Sequence, residues 1–247
     1  MRLDKYLADA GIGTRSEVKK LIYWKKVTVG GKTVTDPAYQ LPAGCEVCFK
    51  GEPVRNERFE YWMLNKPSGI VSESRKNSLK RGEMIPEGEE RTVVDLIRGS
   101  RKNDLFPAGR LDKDTEGLLL VTNDGKLSHR LLSPAKHVEK TYYAELSGPL
   151  SAEKKERLEN GVDIGDEKPT KPCRIETVTP ERVSITITEG RYHQIKRMFE
   201  TEGLSVTYLK RTAFGPLRLD GALLPGESRP LTKEEIDLLT EDMNNDK

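Results

Sequence analysis

The chain has 247 residues, of which 33% are charged and 35% hydrophobic, and its formal net charge is +2. That length holds one large domain or two, and the composition is polar but still globular. No apolar run approaches the ~20 residues of a membrane span, the charged opening MRLDKYLADAG does not read as a signal peptide, and three cysteines do not make a disulfide framework, so a soluble cytoplasmic protein is expected.

The N-terminal stretch predicts two helices and a hairpin. Leu3, Tyr6, Leu7 and Ala10 fall at helical spacing, and Gly11 and Gly13 close that helix. Thr14-Arg15-Ser16-Glu17 reads as a capping box. The helix it opens has Val18, Leu21 and Ile22 as its apolar stripe, with Arg15, Lys19 and Lys20 outside it. Val27-Thr28-Val29, Gly30-Gly31 and Lys32-Thr33-Val34 spell a hairpin. Residues 1–32 carry eight Lys/Arg against three Asp/Glu, an excess of +5 that leaves −3 for the remainder. Such an excess is usually a solvated helix face, or it is a local electrostatic footprint for an anion. Cys45-Glu-Val-Cys48 is a lone CxxC that does not open a helix after a strand, as a redox motif should. Plain structural cysteines are expected, because a zinc site needs more ligands than Cys173 and three histidines offer.

Residues 51–59, GEPVRNERF, read as a linker. The expected division is therefore 1–58, 59–239 and a polar tail at 240–247. Tyr61-Trp62-Met63-Leu64 is a short strand, followed by a turn at Asn65-Lys66-Pro67-Ser68-Gly69. Ser72 to Arg91 is charged and predicts a loop whose acidic half, Glu83 to Glu90, argues against contact with a polyanion along its whole length. Thr92 to Arg98 reads as a short helix.

Ala108 to Gly125, AGRLDKDTEGLLLVTNDG, is the stretch richest in chemistry. Leu118 to Val121 reads as a buried strand closed by an Asn-Asp-Gly turn. Arg110, Asp112 and Asp114 precede it, between Gly109 and Gly117. A carboxylate beside a guanidinium on a loop anchored to a buried strand is a catalytic placement. An ordinary solvated loop is the bland alternative. A calcium loop fails, because Leu119 and Leu120 fall where polar ligands belong and Asn123 stands where a bidentate Glu is required. A glycosidase-like acid pair fails for want of an identifiable second acid.

Lys126 to Leu132 predicts a helix stopped by Pro134, and Glu139 to Leu146 a strand on which Tyr142 and Tyr143 face opposite ways. Pro149 to Asn160 is an exposed helix ended by Gly161, and Arg174–Val178 with Arg182–Thr188 a hairpin. EGRYHQIKRMFETEG, Glu189 to Gly203, opens a helix with Gly203 as its stop. Leu204 to Leu219 supplies further strands, and Thr232 to Leu239 a last helix with Thr232 and Glu235 as a capping box.

Three of these stretches, in order, resemble one family. YxMLNKPSGIVS, GRLDxDTxGLLLxTxDG and EGRYHQIKRM are similar to the motifs of the RsuA/RluA-type pseudouridine synthases, and RLDKYLADAGIGTRSEVKKLI with VTVGGKTV is similar to an S4 RNA-binding domain. The resemblance covers residues 2–239 and implies an α+β fold: a small S4-like domain, then a mixed, largely antiparallel sheet with helices on its faces and a central cleft. It implies conversion of uridine to pseudouridine in RNA, with no cofactor and no metal, on a uridine flipped out of structured RNA. It puts the essential nucleophile on Asp112, which attacks or acts as base at the sugar. The uracil-stacking tyrosine falls on Tyr142, and the basic partner of the aspartate on Lys196, one residue from Arg197.

Lys66 is implied to be structural. Arg110 is implied to touch RNA beside the flipped base, and Arg15, Lys19 and Lys20 to touch RNA phosphates. His193 and Arg197 are assigned to RNA contact; a helical position for His193 favours that over acid–base work, although His is the usual acid–base residue. GRYHQIKRMF and SHRLLSPxxHxEKTY are most similar to the RsuA branch of the RsuA/RluB/RluE/RluF group, which implies 16S ribosomal RNA or a small-subunit assembly intermediate as partner of a monomer. A synthase acting on 23S RNA, a noncatalytic assembly factor and a nucleoside or glycoside hydrolase are the alternatives, and an intact Asp112, Tyr142 and Lys196 speaks against the second.

Overall fold

A computed structural model describes residues 1–42, 44–54, 59–74, 90–100 and 104–241. Most of the charged loop expected at 72–91, and the tail beyond residue 241, lie outside the described residues. The chain divides into two compact units, Met1–Glu60 with Gly99–Asp104, and Tyr61–Arg98 with Leu105–Lys247. No helix among the described residues is long and apolar enough to cross a membrane.

The first unit opens with α1 (Leu3–Asp9) and α2 (Arg15–Tyr23). Thr14 and Glu17 form the capping box: the Thr14 hydroxyl accepts from the Glu17 amide at 3.3 Å, and the Glu17 carboxylate accepts from the Thr14 amide at 2.8 Å. The strands β1 (Val27–Val29), β2 (Lys32–Thr33), β3 (Val47–Phe49) and β4 (Glu52–Pro53) form an antiparallel sheet in the order β2-β1-β3-β4. Leu3, Leu7, Val18, Ile22, Val27 and Val47 make its core. The expected linker starts too early at residue 51. Lys50 and Gly51 both have positive φ, 52° and 87°, and fold the chain back so that Glu52 pairs with Phe49. This is a two-residue hairpin turn, and a two-residue polar strand leaves no periodicity to read.

The second unit contains β5 (Tyr61–Lys66), β6 (Phe106–Pro107), β7 (Glu116–Thr122), α3 (Gly125–Leu132), β8 (Lys140–Leu146), α4 (Ala152–Asn160), β9 (Arg174–Thr179), β10 (Arg182–Ile187), α5 (Gln194–Thr201), β11 (Val206–Phe214), β12 (Leu217–Arg218), β13 (Ser228–Pro230) and α6 (Lys233–Glu241). The helix expected at 92–98 is only a 3-10 turn, Val93–Leu96, capped by Thr92 and Asp95. The sheet runs β13-β5-β7-β11-β8-β10-β9, with β12 on β11 and β6 on β7. Among the described strands of this sheet, β7 and β11 pair in parallel and the other pairs are antiparallel.

The two-residue period of the strands explains why both faces are covered. Trp62, Leu64, Leu119 and Val121 enter one core with Ile195, Met198 and Phe199 of α5 and Leu158 of α4. The intervening Met63, Leu118 and Leu120 enter another with Leu127 and Leu131 of α3 and Leu239 of α6. The continuous apolar run of β7 is thus a strand buried on both sides. Gly117, opposite Arg211 in the parallel pair, has φ +99°, and a Cβ there would run into the Arg211 backbone. Only glycine fits where the aspartate loop joins the sheet.

Candidate active site

The loop from Ala108 to Thr115 links β6 to β7, and its backbone is clamped from β5 and the turn after it. The Ser72 hydroxyl donates to the Leu111 carbonyl at 2.8 Å and accepts from the Leu111 amide at 3.1 Å. The Lys66 ammonium donates to the carbonyls of Thr115, Lys113 and Pro67 at 2.8, 3.0 and 3.1 Å. Lys66 is wholly buried, and burial pushes its pKa down to about 8 against the opposing pull of Asp114, Glu116 and Asp112. Its three carbonyl partners fit the structural role expected of it.

The other wall comes from the start of α5. That helix begins at Gln194, not at Glu189, and His193 stands at its N-cap in the left-handed region, φ 50° and ψ 31°. The expectation of a helical His193 is corrected: the backbone turns sharply there and delivers the imidazole to the aspartate loop. The turn is held by Gln194, whose amide donates to Glu189 at 2.7 Å, and by Arg191, which donates to Glu189 and to the carbonyls of Lys168 and Pro169.

Asp112 therefore sits between two nitrogens. His193 Nε2 lies 3.6 Å from one carboxylate oxygen and Lys196 Nζ 3.6 Å from the other. These are ionic spacings, longer than hydrogen bonds. Lys196 is closer to Asp114, with Nζ 2.6 and 2.7 Å from its two oxygens. The pairing expected of Lys196 is thus shared, and its hydrogen bonds go to Asp114. The bonded ammonium holds the Asp114 carboxyl below the usual carboxylate range. Asp114 is 67% exposed and Asp112 28%, so Asp112 is the better shielded of the two.

Tyr142, 8% exposed on β8, faces inward, while the Tyr143 hydroxyl donates to Glu145 on the alternate side. Arg110, Asp112, Tyr142, His193 and Lys196 line a small pocket of about 80 Å³. A cleft of about 720 Å³ adjoins it and shares Arg110, Asp112, Tyr142 and His193. Six of the residues lining that cleft are Lys or Arg and three are acidic, which suits an anionic chain.

Arg197 is not on this wall. Its guanidinium donates to Asp166 at 2.7 Å, to the Tyr192 carbonyl at 3.1 Å, and to the Ile164 carbonyl. Arg15, Lys19 and Lys20 are exposed on α2 of the first unit. Sequence reasoning missed Ser72, Lys140, Arg211 and Tyr192, which all line the cleft. Ser72 was legible only as the last residue of IVS, and Arg211 lies in a strand whose apolar alternation hides it.

A shielded carboxylate, an ammonium and an imidazole beside it, an inward tyrosine and a basic cleft on a mixed sheet define a class. The chain belongs to the RNA pseudouridylate synthase family, whose model matches residues 60–201, and an S4 domain matches residues 1–47. Over 98% of its length it is 46% identical to the RNA pseudouridine synthase YtzG of Bacillus subtilis, of which it covers 99%. It is 40% identical to ribosomal small subunit pseudouridine synthase A of Escherichia coli, over 96% of this chain and 98% of that one. A crystal structure of a pseudouridylate synthase superposes with a TM-score of 0.66 at 37% identity, covering 97% of this chain and 99% of that one.

Proposed function

We propose that this chain isomerises one uridine of 16S ribosomal RNA, or of a small-subunit assembly intermediate, with Asp112 as its nucleophile or sugar-directed base. The observation that carries the reading is Asp112 held 3.6 Å from both His193 and Lys196 at the head of a pocket shared with Tyr142. The adjacent Lys196 ammonium favours the ionised carboxylate the chemistry needs. The likeness to a small-subunit synthase across 96% of the chain supports the choice of RNA.

In this reading the target uridine is flipped into the cleft beside Arg110. The C1′–N1 bond breaks with Asp112 at the sugar, and the uracil turns against Tyr142. C5 then joins C1′, displacing Asp112 where it had bonded to the sugar; C5 loses its proton to water, and N1, freed from the sugar, takes one up. Tyr142 stacks on the base and assists the late proton transfer. His193, set against Asp112, assists in holding the carboxylate as well as meeting RNA. Residues 1–58 grip RNA through Arg15, Lys19 and Lys20, residues 59–239 do the chemistry, and the protein works as a monomer in the cytoplasm. Arg197 serves RNA by fixing the Tyr192 carbonyl.

The test is tritium release from 5-tritiated uridine in 16S RNA, in its assembly intermediate and in 23S RNA. Wild type is expected to release tritium from the small-subunit substrate only. Asp112→Asn keeps the size of the side chain but removes the anion. It should bind RNA as tightly and release nothing measurable, while Asp114→Asn keeps part of the turnover. Comparable turnover by Asp112→Asn removes the nucleophile assignment. Release from 23S alone moves the target, and tight binding without turnover on any RNA favours a binding factor.

A further inference from the structure

Tyr192 is left unexplained by the chemistry. Its side chain is 72% exposed, an unusual position for a large aromatic ring. Yet its backbone is among the most firmly held in the cleft. On one side Arg191 donates to Glu189 and to the carbonyls of Lys168 and Pro169. On the other, Arg197 donates to the carbonyl of Tyr192 itself at 3.1 Å. The next residue, His193, is fixed in the left-handed region. The ring lies flat against the His193 imidazole, centroids 3.9 Å apart and planes 16° from parallel. His193 in turn is 3.6 Å from Asp112. A rigid backbone thus presents one aromatic face to solvent and rests the other on a ring that touches the catalytic carboxylate.

The placement says which nucleotide could use it. Tyr192 lines the wide cleft but not the small pocket at Lys196, whereas Tyr142 and His193 line both. In the proposed reading the target base lies against Tyr142 and Asp112. A ring that lines the cleft without lining that pocket meets a neighbouring base while the target is flipped. Stacking suits such an encounter, because every base has a π face and the ring needs no reorganisation to meet it.

We propose that Tyr192, backed by His193, is a stacking platform for an unpaired nucleobase flanking the target uridine, and that it acts on substrate binding and not on the bond-breaking steps. The proposal rests on the reading of the chain as an RNA-modifying synthase and adds a subsite to it. The platform fixes where the strand leaves the pocket, and so helps decide which uridine enters it.

The test uses the full chain with Tyr192→Ala and Tyr192→Phe on the same small-subunit RNA, measuring kcat and KM by tritium release and RNA affinity by filter binding. Loss of one stacked base is expected to raise KM and weaken affinity about tenfold, with kcat held and with Tyr192→Phe close to wild type. An abasic nucleotide at the stacked position in the RNA should weaken wild-type binding by the same factor and leave Tyr192→Ala unaffected. Wild-type KM and affinity in Tyr192→Ala overturn the platform. So does a fall in kcat at unchanged KM, which would mean the ring acts through His193 on Asp112, or a Phe variant as poor as Ala. If wild type turns over no RNA, the synthase reading fails, and the affinity difference between wild type and Tyr192→Ala on that RNA still decides the stacking.

Discussion

Two sets of cations in this molecule are made of the same residue types and differ in solvent. Arg15, Lys19 and Lys20 stand exposed on α2. Lys66, Lys140 and Arg211 are 0%, 9% and 2% exposed in the second unit. An exposed charge keeps its hydration, costs little, and acts on a polyanion through counterion release that salt abolishes. A buried charge has lost its water and must be repaid by fixed oxygens. Lys66 finds three carbonyls, while Lys140 has the Val138 carbonyl at 2.8 Å and Arg211 the Leu118 carbonyl at 2.7 Å. Both of the latter also lie over the Phe214 ring, at 5.6 and 5.0 Å. Exchanging the exposed set leaves stability nearly unchanged, whereas exchanging a buried member changes it, in a direction set by how many fixed oxygens the charge has found.

The largest effect should follow from removing the best-coordinated buried charge. Lys66→Met keeps the length of the side chain and leaves the carbonyls of Thr115, Lys113 and Pro67 without their ammonium. A buried carbonyl left unpaired costs about 1–3 kcal/mol. The Gly69 amide still serves Lys113 at 2.8 Å, and the desolvation cost of the ammonium itself disappears. A net loss of about 2–4 kcal/mol is expected from those terms, read as a lower urea midpoint at unchanged m-value. A midpoint equal to wild type would show that the loop holds itself.

The opposite outcome is expected on α2. Arg15→Ala, Lys19→Ala and Lys20→Ala combined should leave the urea midpoint within about 0.5 kcal/mol of wild type. RNA affinity should fall, and the log–log salt slope should flatten by roughly one unit for each phosphate no longer neutralised. Filter binding across a salt series measures it. A lower midpoint with an unchanged slope would reverse the comparison and make these charges structural.

What the sequence displayed follows the same division. The doubly buried β7, the capping boxes at Thr14 and Thr232, and the Arg174–Ile187 hairpin were legible because period and capping are local. Asp112 and Tyr142 were legible through motif order, and the structure brings both to one pocket. The division of Lys196 between Asp112 and Asp114 was not, because a side chain's choice between two carboxylates depends on the angle at which α5 meets the loop. His193 was misplaced because a left-handed N-cap interrupts a stretch in which the one helix-breaking signal, Gly190, stands three residues earlier. Lys140 and Arg211 read as ordinary charges within strands, since burial is decided by the neighbours across β8 and β11.

The remaining effect is a pH dependence that buried groups generate and the exposed set does not. Burial, and for Lys140 also the neighbouring Arg211, push the pKa values of Lys66 and Lys140 down to about 8. The unfolded chain returns each to the usual lysine value of about 10.4. Between those limits the unfolded state binds more protons than the folded one, so stability rises with pH. The rise is opposed from about pH 8.5, because burial pushes the Cys173 thiol up to about 12, and further from about pH 10, because burial and a bond to Glu116 push the Tyr208 phenol up to about 12. In each case the folded state keeps a proton that the unfolded chain sheds, and stability is lowered. Each lysine contributes at most about 1.4 kcal/mol per pH unit inside its window. Urea titrations at steps from pH 7.0 to 8.5, below the unfolded thiol's titration, should therefore show a rising midpoint in wild type. Lys140→Met should be the more stable protein at pH 7.5, freed of a buried charge that has one carbonyl partner, and should lose about half of the slope. The α2 triple variant should keep all of it. A flat wild-type profile, or a Lys140→Met profile parallel to wild type, would place Lys140 among the solvated charges and remove it from the buried set.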